Sequence, residues 1–299
     1  MKCVNNWIIT VVYCLMSLSV QARVVTDQLG REVVLPADVK RIVSMAPSVT
    51  ELVFALGSGD RLVGATRYSD YPPEAEALPK IGSYVHLDLE RILSLRPDVC
   101  IGTKDGNPKA VIDRLEALQV PVFAVNPVSF ETVMASIHLV AVVLDVPDRG
   151  ERLVQSMTDR IRAVDARVAA VSSRPGVFLQ IGMAPIVSVG SPTYLNELIE
   201  RAGGRNVAAG PTPYPRYATE QVLALRPDVI LVSSMAKGTP GAAEAAAEDW
   251  RRWKGLPAAE NNRVMIIDSD RVDRPGPRMV SGLETLMRMI HPELAGAAP

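Results

Sequence analysis

Apolar residues along this chain alternate between two rhythms. Short apolar runs at 41–45, 62–65, 99–102, 120–125, 177–181, 186–189, 229–232 and 264–267, bounded by Gly, Pro, Asp or Asn, predict buried strands. Between them, apolar positions spaced three and four apart predict helices over 49–56, 109–119, 130–144, 193–202, 242–253 and 278–290. Ser48 or Thr50 is a candidate cap for the first of these, and Glu51 would suit the positive end of its dipole. Strands separated by helices of this length make βαβ units and a parallel sheet. Ahead of them, 24–27 and 31–35 read as a hairpin around Gln28-Leu29-Gly30.

One segment breaks the alternation. Residues 147–173 hold no strand pattern, carry charges of both signs, and keep Leu153, Met157, Ile161, Val164 and Val168 at helical spacing. The segment predicts one long amphipathic helix between two lobes, and a single stiff helix makes a poor hinge. The organisation expected is α/β: two Rossmann-like lobes with parallel-sheet cores, 23–146 and 174–299, joined by the helix 147–173.

The lobes are related by an internal duplication. Tyr84, Glu90 and the phrase Leu95-Arg96-Pro97-Asp98-Val99 recur 130 residues later as Tyr214, Glu220 and Leu225-Arg226-Pro227-Asp228-Val229. Each copy reads as a short helix ending at Arg, because the residue before proline is pushed out of the α region, then a turn and an apolar strand.

Of the 299 residues, 48% are hydrophobic and 22% charged, with a formal net charge of −1. No basic excess exists to neutralise a phosphate backbone, so nucleic-acid partners are not expected. Lys2, the apolar run 7–20 and the small-residue site at Val20-Gln21-Ala22 read as an export signal over 1–22, cleaved after Ala22, with an uncleaved amino-terminal membrane anchor as the alternative. Cys3 and Cys14 leave with it, so Cys100 remains as a single buried thiol and no intramolecular disulfide is expected.

Ligands of open parallel sheets bind outside the carboxyl ends of the strands. Ala46-Pro47-Ser48 lies at such an end, which makes Ser48 a candidate contact. Tyr68, Tyr71, Tyr84, Tyr214 and Tyr217 all fall in predicted loops or helix mouths, where a flat apolar face with a hydroxyl suits a large, partly apolar ligand. Catalytic constellations are scarce: no Gly-x-Ser-x-Gly, His-Glu-x-x-His or phosphate-binding loop is present, and His86, His138 and His291 are dispersed. His86, two residues from Tyr84, could reach a metal or haem iron, although a closed metal site needs several ligands. Glu90 and Glu220 read either as first-turn acids favoured by the helix dipole or as two prongs for arginines of a symmetric partner.

Several stretches carry a family resemblance: Met-Ala-Pro-Ser-Val-Thr-Glu-Leu at 45–52, Tyr-Ser-Asp-Tyr-Pro-Pro at 68–73, Leu-Glu-Arg-Ile at 89–92, Gly203-Gly204 with Asn206, Pro-Tyr-Pro at 213–215, and Asp270 to Arg274 with Pro277-Arg278. They resemble the periplasmic substrate-binding proteins with a helical backbone that serve ABC importers of cobalamin, haem and iron siderophores, and most nearly the cobalamin-binding branch. The resemblance implies the class III architecture, a ligand in the cleft between lobes, no cofactor, a monomer when free, and delivery to an inner-membrane permease dimer. In that family the positions matched by Tyr68, Asp270 and Arg274 contact the corrinoid, those matched by Glu90 and Glu220 bind permease arginines, and those matched by Tyr84 and Tyr214 carry tryptophans flanking the ligand. Thr103 and Ile181 stand where aromatics are expected, and Ala202 and Met287 where a relative carries bridged cysteines. The function implied is a non-catalytic carrier of cobalamin or a related corrinoid, with haem or an iron siderophore as the alternative ligand. A periplasmic enzyme on this scaffold would need clustered Cys or His ligands, and a pure protein-interaction module would leave the cleft unused.

Overall fold

A computed structural model of the protein describes residues 22–233 and 241–296. The expected export signal, apart from Ala22, lies outside the described residues. The chain enters as the hairpin read from the sequence, β1 (Ala22–Thr26) paired antiparallel with β2 (Glu32–Pro36). Its turn is closed by Asp27, whose carboxylate accepts from the backbone N–H groups of Leu29 and Arg31, both at 2.9 Å.

The first lobe contains β3 (Ile42–Ser44), α1 (Pro47–Ala55), β4 (Leu62–Ala65), the small hairpin β5 (Gly82–Ser83) and β6 (His86–Leu87), α2 (Leu89–Ser94), β7 (Val99–Thr103), α3 (Lys109–Ala117), β8 (Val122–Val125) and α4 (Phe130–Val143). The long helix is α5 (Pro147–Val168). The second lobe contains β9 (Gly176–Gln180), β10 (Ile186–Val187), α6 (Tyr194–Arg201), β11 (Arg205–Asn206), β12 (Arg216–Tyr217), α7 (Thr219–Leu225), β13 (Val229–Ser233), α8 (Ala242–Arg251), α9 (Pro257–Glu260), β14 (Val264–Ile267), α10 (Ser269–Val272) and α11 (Met279–Ile290).

The two main sheets are parallel throughout and share one topology. Their orders are β4-β3-β7-β8 and β11-β9-β13-β14, so in each the second strand lies outside the first and the third and fourth run the other way. The switch points fall between β3 and β7 and between β9 and β13, where ligands of such sheets gather. Both faces of each sheet are covered, which explains why β7, β8, β9 and β13 read as unbroken apolar runs rather than alternating ones. Cys100 packs within β7, its thiol pushed up to about 12 by burial.

The duplication holds in three dimensions. β6, α2 and β7 return as β12, α7 and β13, at an offset of 130 residues measured from His86 to Arg216 and from Val99 to Val229. Arg96 and Arg226 leave the right-handed α region as expected before proline, and both take the left-handed conformation, with φ of 44° and 47°. The aspartates of the repeated phrase anchor the neighbouring strand. Asp98 accepts from the N–H groups of Lys40 and Arg41, and Asp228 from that of Gly176.

Helix α5 buries Met157, Ile161, Val164 and Val168, with Leu153 half-buried, on the predicted face. It ends five residues short of the expected position because no buried residue follows Val168 before Pro175. Gly150 lets it approach α4 closely: a Cβ there would lie 2.6 Å from that of Ala141. One apolar core runs from the first lobe through α5 into α6 and α11, so the helix is part of both lobes' packing. Where the family resemblance marks bridged cysteines, Ala202 and Met287 are buried in that core.

Further expectations change. Helix α1 begins at Pro47, not at Val49, with Ala46 at the N-cap and no side-chain cap, so neither Ser48 nor Thr50 caps it. Proline suits that first position because its missing N–H is one the helix would leave unpaired. Strand β8 starts at Val122 because Pro121 has no N–H for the ladder. The strand expected over 186–189 shrinks to β10, which pairs antiparallel with β12 outside the main sheet.

Candidate ligand cleft

Tyr84 sits between β5 and β6 at the carboxyl edge of the first sheet. Its ring lies over Gly106, where an added Cβ would come 2.0 Å from the ring and where φ is +98°. Only glycine leaves both the space and the backbone conformation for that packing. Asn107 fixes the arrangement: its amide donates to the carbonyls of Tyr84 and Met45, each at 2.9 Å, and its oxygen accepts from the N–H of Thr103 at 2.8 Å. Three loops at the sheet edge are thereby tied to one side chain.

Tyr214 occupies the matching place in the second lobe and is 55% exposed. Its loop is held on both sides, the carbonyl of Pro213 accepting from Gly190 and that of Pro215 from Ser188. Burial of the hydroxyl end raises its pKa, and Asp105, Tyr84 and Asp273 raise it further. Asp105 and Tyr84 belong to the first lobe, so the duplicated tyrosines share one electrostatic environment across the gap between lobes. Tyr217 packs edge-on against Phe178, ring centres 5.5 Å apart, as part of the second lobe's core.

The loop after β4 forms another wall. The hydroxyls of Ser44, Thr50, Ser69 and Thr66 make a buried chain with links of 2.8–2.9 Å, which pins this loop to β3 and α1. Thr50 is therefore a loop anchor. The pinned loop exposes Tyr68 and Tyr71, the latter ring lying 3.9 Å from the guanidinium of Arg278.

Glu51 does not act as a dipole acid at the surface; it is buried and holds the lobes together. Its carboxylate accepts from Arg278 Nε at 2.8 Å and Nη2 at 2.6 Å, and from Arg274 Nη1 at 2.9 Å. Arg274 Nη1 also reaches Asp70 at 2.9 Å, while its Nη2 reaches Asp270 at 2.9 Å and the Tyr68 carbonyl at 3.1 Å. Burial works against the charged form of Arg274, but hydrogen bonds to Asp70 and Glu51 together with the charges of Asp270 and Glu51 outweigh it, and its pKa is raised. Asp270 and Arg274, matched by resemblance to ligand contacts, are thus paired with each other, and four Arg274 donor contacts are engaged. A ligand reaching this guanidinium must compete with acids already there.

Ser48 is buried and lines a small cavity between the lobes with Val49, Leu52, Ile137, Pro275 and Gly276. Ile181, at the position matched to an aromatic, is buried in the core, and Thr103 turns its hydroxyl to the Asp105 carbonyl at 2.7 Å. Glu90 and Glu220 are exposed in the first turns of α2 and α7, at equivalent places on the two lobes. Of the histidines, His86 is exposed on β6, His138 faces Glu151 at 3.8 Å, and His291 is buried between Glu293 and the Gly203 carbonyl. Among the described residues, no cluster of three or more His, Cys, Asp or Glu is placed to hold a metal, and no helix is long and apolar enough to cross a membrane.

A buried polar group at the end of β13 was not legible in the sequence. Ser233 Oγ donates to Asp273 Oδ2 at 2.6 Å, while among the described residues Asp273 Oδ1 and the hydroxyl of Tyr194, both buried, have no hydrogen-bond partner. Burial lifts the Asp273 carboxyl to about 7 against the lowering effect of the Ser233 hydrogen bond, with Asp270 and Asp268 adding to the rise and Arg274 opposing it. Burial likewise raises Tyr194, helped by Asp273, Tyr214 and Glu51.

Two lobes of one topology, joined by a helix and each carrying a tyrosine at the equivalent place, define a bilobal binding protein. Residues 42–271 match the periplasmic binding protein family, and the chain belongs to that family, whose members are substrate-binding transport proteins rather than enzymes. It is 32% identical to a vitamin B12-binding protein of Vibrio parahaemolyticus over 82% of this chain and 87% of the relative. Among solved structures, the periplasmic haem-binding protein RhuT of Roseiflexus sp. RS-1 is 30% identical with a TM-score of 0.77, covering 86% of this chain and 99% of that one. The periplasmic vitamin B12-binding protein BtuF of Vibrio cholerae is 27% identical with a TM-score of 0.72, covering 87% and 99%. The two-lobe class III fold read from the sequence is the one these structures share.

Proposed function

We propose that this chain is an exported carrier that takes cobalamin or a related corrinoid between Tyr84 and Tyr214 and delivers it to the inner-membrane permease dimer of an ABC importer. The observation that carries this reading is the duplicated two-lobe topology, which sets Tyr84 and Tyr214 at equivalent places beside the carboxyl edges of the two parallel sheets. An aromatic side chain on each lobe suits a broad planar macrocycle whose edges are polar. Similarity to the vitamin B12-binding protein over most of both chains supports the corrinoid class. In this reading residues 1–22 are the export signal, the lobes span 23–146 and 174–299 around the helix segment 147–173, and the free protein is a monomer. Tyr68 lines the cleft, Ser48 backs it, and Asp270 and Arg274 meet the ligand by exchanging part of their ion pairing. Glu90 and Glu220 bind two permease arginines, one from each subunit.

Haem is the competing ligand, supported by the likeness to RhuT and by the nearness in sequence of Tyr84 and His86. A native mass spectrum of the mature protein after exposure to a periplasmic extract decides between them, because the bound mass names the ligand. A corrinoid mass supports the proposal and a haem mass overturns it. Glu90→Arg with Glu220→Arg should block transport while leaving ligand affinity unchanged; transport at the normal rate would remove these residues from docking.

A further inference from the structure

Asn107 stands where a parallel sheet of this topology ordinarily receives its ligand. Strand order reverses between β3 and β7, and the crevice outside the carboxyl ends of those two strands is the expected binding point. Met45 is the first residue after β3 and Thr103 the last of β7. The Asn107 side chain spans the two, donating to the Met45 carbonyl at 2.9 Å and accepting from the Thr103 N–H at 2.8 Å. Its second N–H donates to the Tyr84 carbonyl at 2.9 Å, so both amide donors are engaged and turning the amide over would break all three bonds.

Gly102 supplies the room. It lies inside β7, where a glycine marks the close approach of another group, and a Cβ there would come 2.4 Å from Asn107 Oδ1 and 2.6 Å from the Met45 methyl. The loop is braced further by Thr103 Oγ1, which donates to the Asp105 carbonyl at 2.7 Å, and by the Lys104 N–H, which donates to the Val125 carbonyl at 2.8 Å. The crevice is thus spanned by the protein's own amide, and the Tyr84 ring packs on the adjoining Gly106. We propose that Asn107 is a positioning residue for ligand binding: it closes the crevice between β3 and β7 against the ligand and presets Tyr84 as the surface the ligand meets instead. A closed crevice suits a broad ligand laid against an aromatic face, not a narrow group inserted between strands. This rests on the reading of Tyr84 as a ligand contact, and adds that the contact is built before the ligand arrives. Affinity follows the fraction of molecules that hold the ring in place, so releasing the ring lowers it although every contacting group remains.

The test is a double-mutant cycle read by equilibrium titration of the mature protein with cobalamin. Asn107→Ala should weaken cobalamin about tenfold in the wild-type background and less than about twofold in Tyr84→Ala, because without the ring nothing is left to position. Gly102→Ala keeps Asn107 in the chain but takes the space its amide occupies, and should repeat both results. A side chain that only holds the fold together would weaken binding equally with and without the ring. Hydrogen exchange of the unaltered protein supplies a measurement that needs no variant: the Thr103 N–H should already be protected before cobalamin is added. Equal weakening in both backgrounds, full affinity in Asn107→Ala, or protection of Thr103 gained only on binding overturns the positioning role while the carrier reading stands. Full affinity in Tyr84→Ala removes Tyr84 as a contact and the positioning role with it. Wild type that takes no cobalamin overturns this inference and the corrinoid reading together.

Discussion

Glu51 is the point at which the structure makes its sharpest energetic prediction. Its carboxylate is 2% exposed and accepts from two guanidinium groups that come from 223 and 227 residues further along the chain. Glu51→Gln keeps the shape and one acceptor but deletes the charge between Arg274 and Arg278, whose side chains are 10% and 20% exposed. Removing one member of a buried pair typically costs about 3–5 kcal/mol, because the remaining charge stays desolvated and unpaired. Arg274 retains Asp70 and Asp270, so the lower end, about 3 kcal/mol, is the expectation here. At about 2–4 °C per kcal/mol for a chain of this size, the melting temperature should fall by roughly 6–12 °C. Because the pair is buried, the loss should change little between low and high salt. Thermal and urea unfolding of the single variants and of Glu51→Gln with Arg278→Met close a double-mutant cycle, with a coupling above about 1 kcal/mol expected. A loss below about 1 kcal/mol, or one abolished by salt, would refute the buried inter-lobe cluster.

Asp273 sets a pH dependence. Its folded-state pKa is raised from 3.8 to about 7, so between these values the folded protein holds more protons than the unfolded chain, and stability falls as pH rises through that window. Asp273→Asn should therefore be more stable than wild type at pH 8, by at most about 4 kcal/mol, and the difference should vanish near pH 3; chemical unfolding at the two values measures it. Asp268, Asp270, Arg274, Ser233, Tyr194 and Tyr214 surround the group and are unchanged by the substitution. Gly106→Ala places a Cβ into the Tyr84 ring at a backbone φ of +98°, and should weaken ligand by about tenfold or more through a displaced ring; unchanged affinity would show that Tyr84 does not grip the ligand.

The duplicated phrase made the fold legible, because Tyr-Glu-Leu-Arg-Pro-Asp-Val repeats are visible without any knowledge of contacts. Helix α5 was legible for a similar reason: its apolar stripe is long and regular. The hairpin of β5 and β6 and the pairing of β10 with β12 were not, since strands of two residues are too short to show a period. That Tyr84 and Tyr214 fall in loops was legible because those loops follow from the strand pattern. Glu51 was misread because a first-turn glutamate looks the same whether it faces water or an arginine more than 200 residues distant. Gly106 and Asn107 were passed over as loop residues, although the Gly-Asn-Pro phrase marks a turn that something must require. Asp273 and Tyr194 could not have been singled out, for what distinguishes them is burial without a partner, a property of the packed chain.

The central claim is that a corrinoid binds between Tyr84 and Tyr214, and calorimetric titration of the mature protein with cobalamin tests it most directly. The account predicts one ligand per chain at micromolar affinity or better, weakened by about tenfold or more in Tyr214→Ala. No heat with cobalamin, together with a one-to-one Soret shift on adding haem, would contradict it.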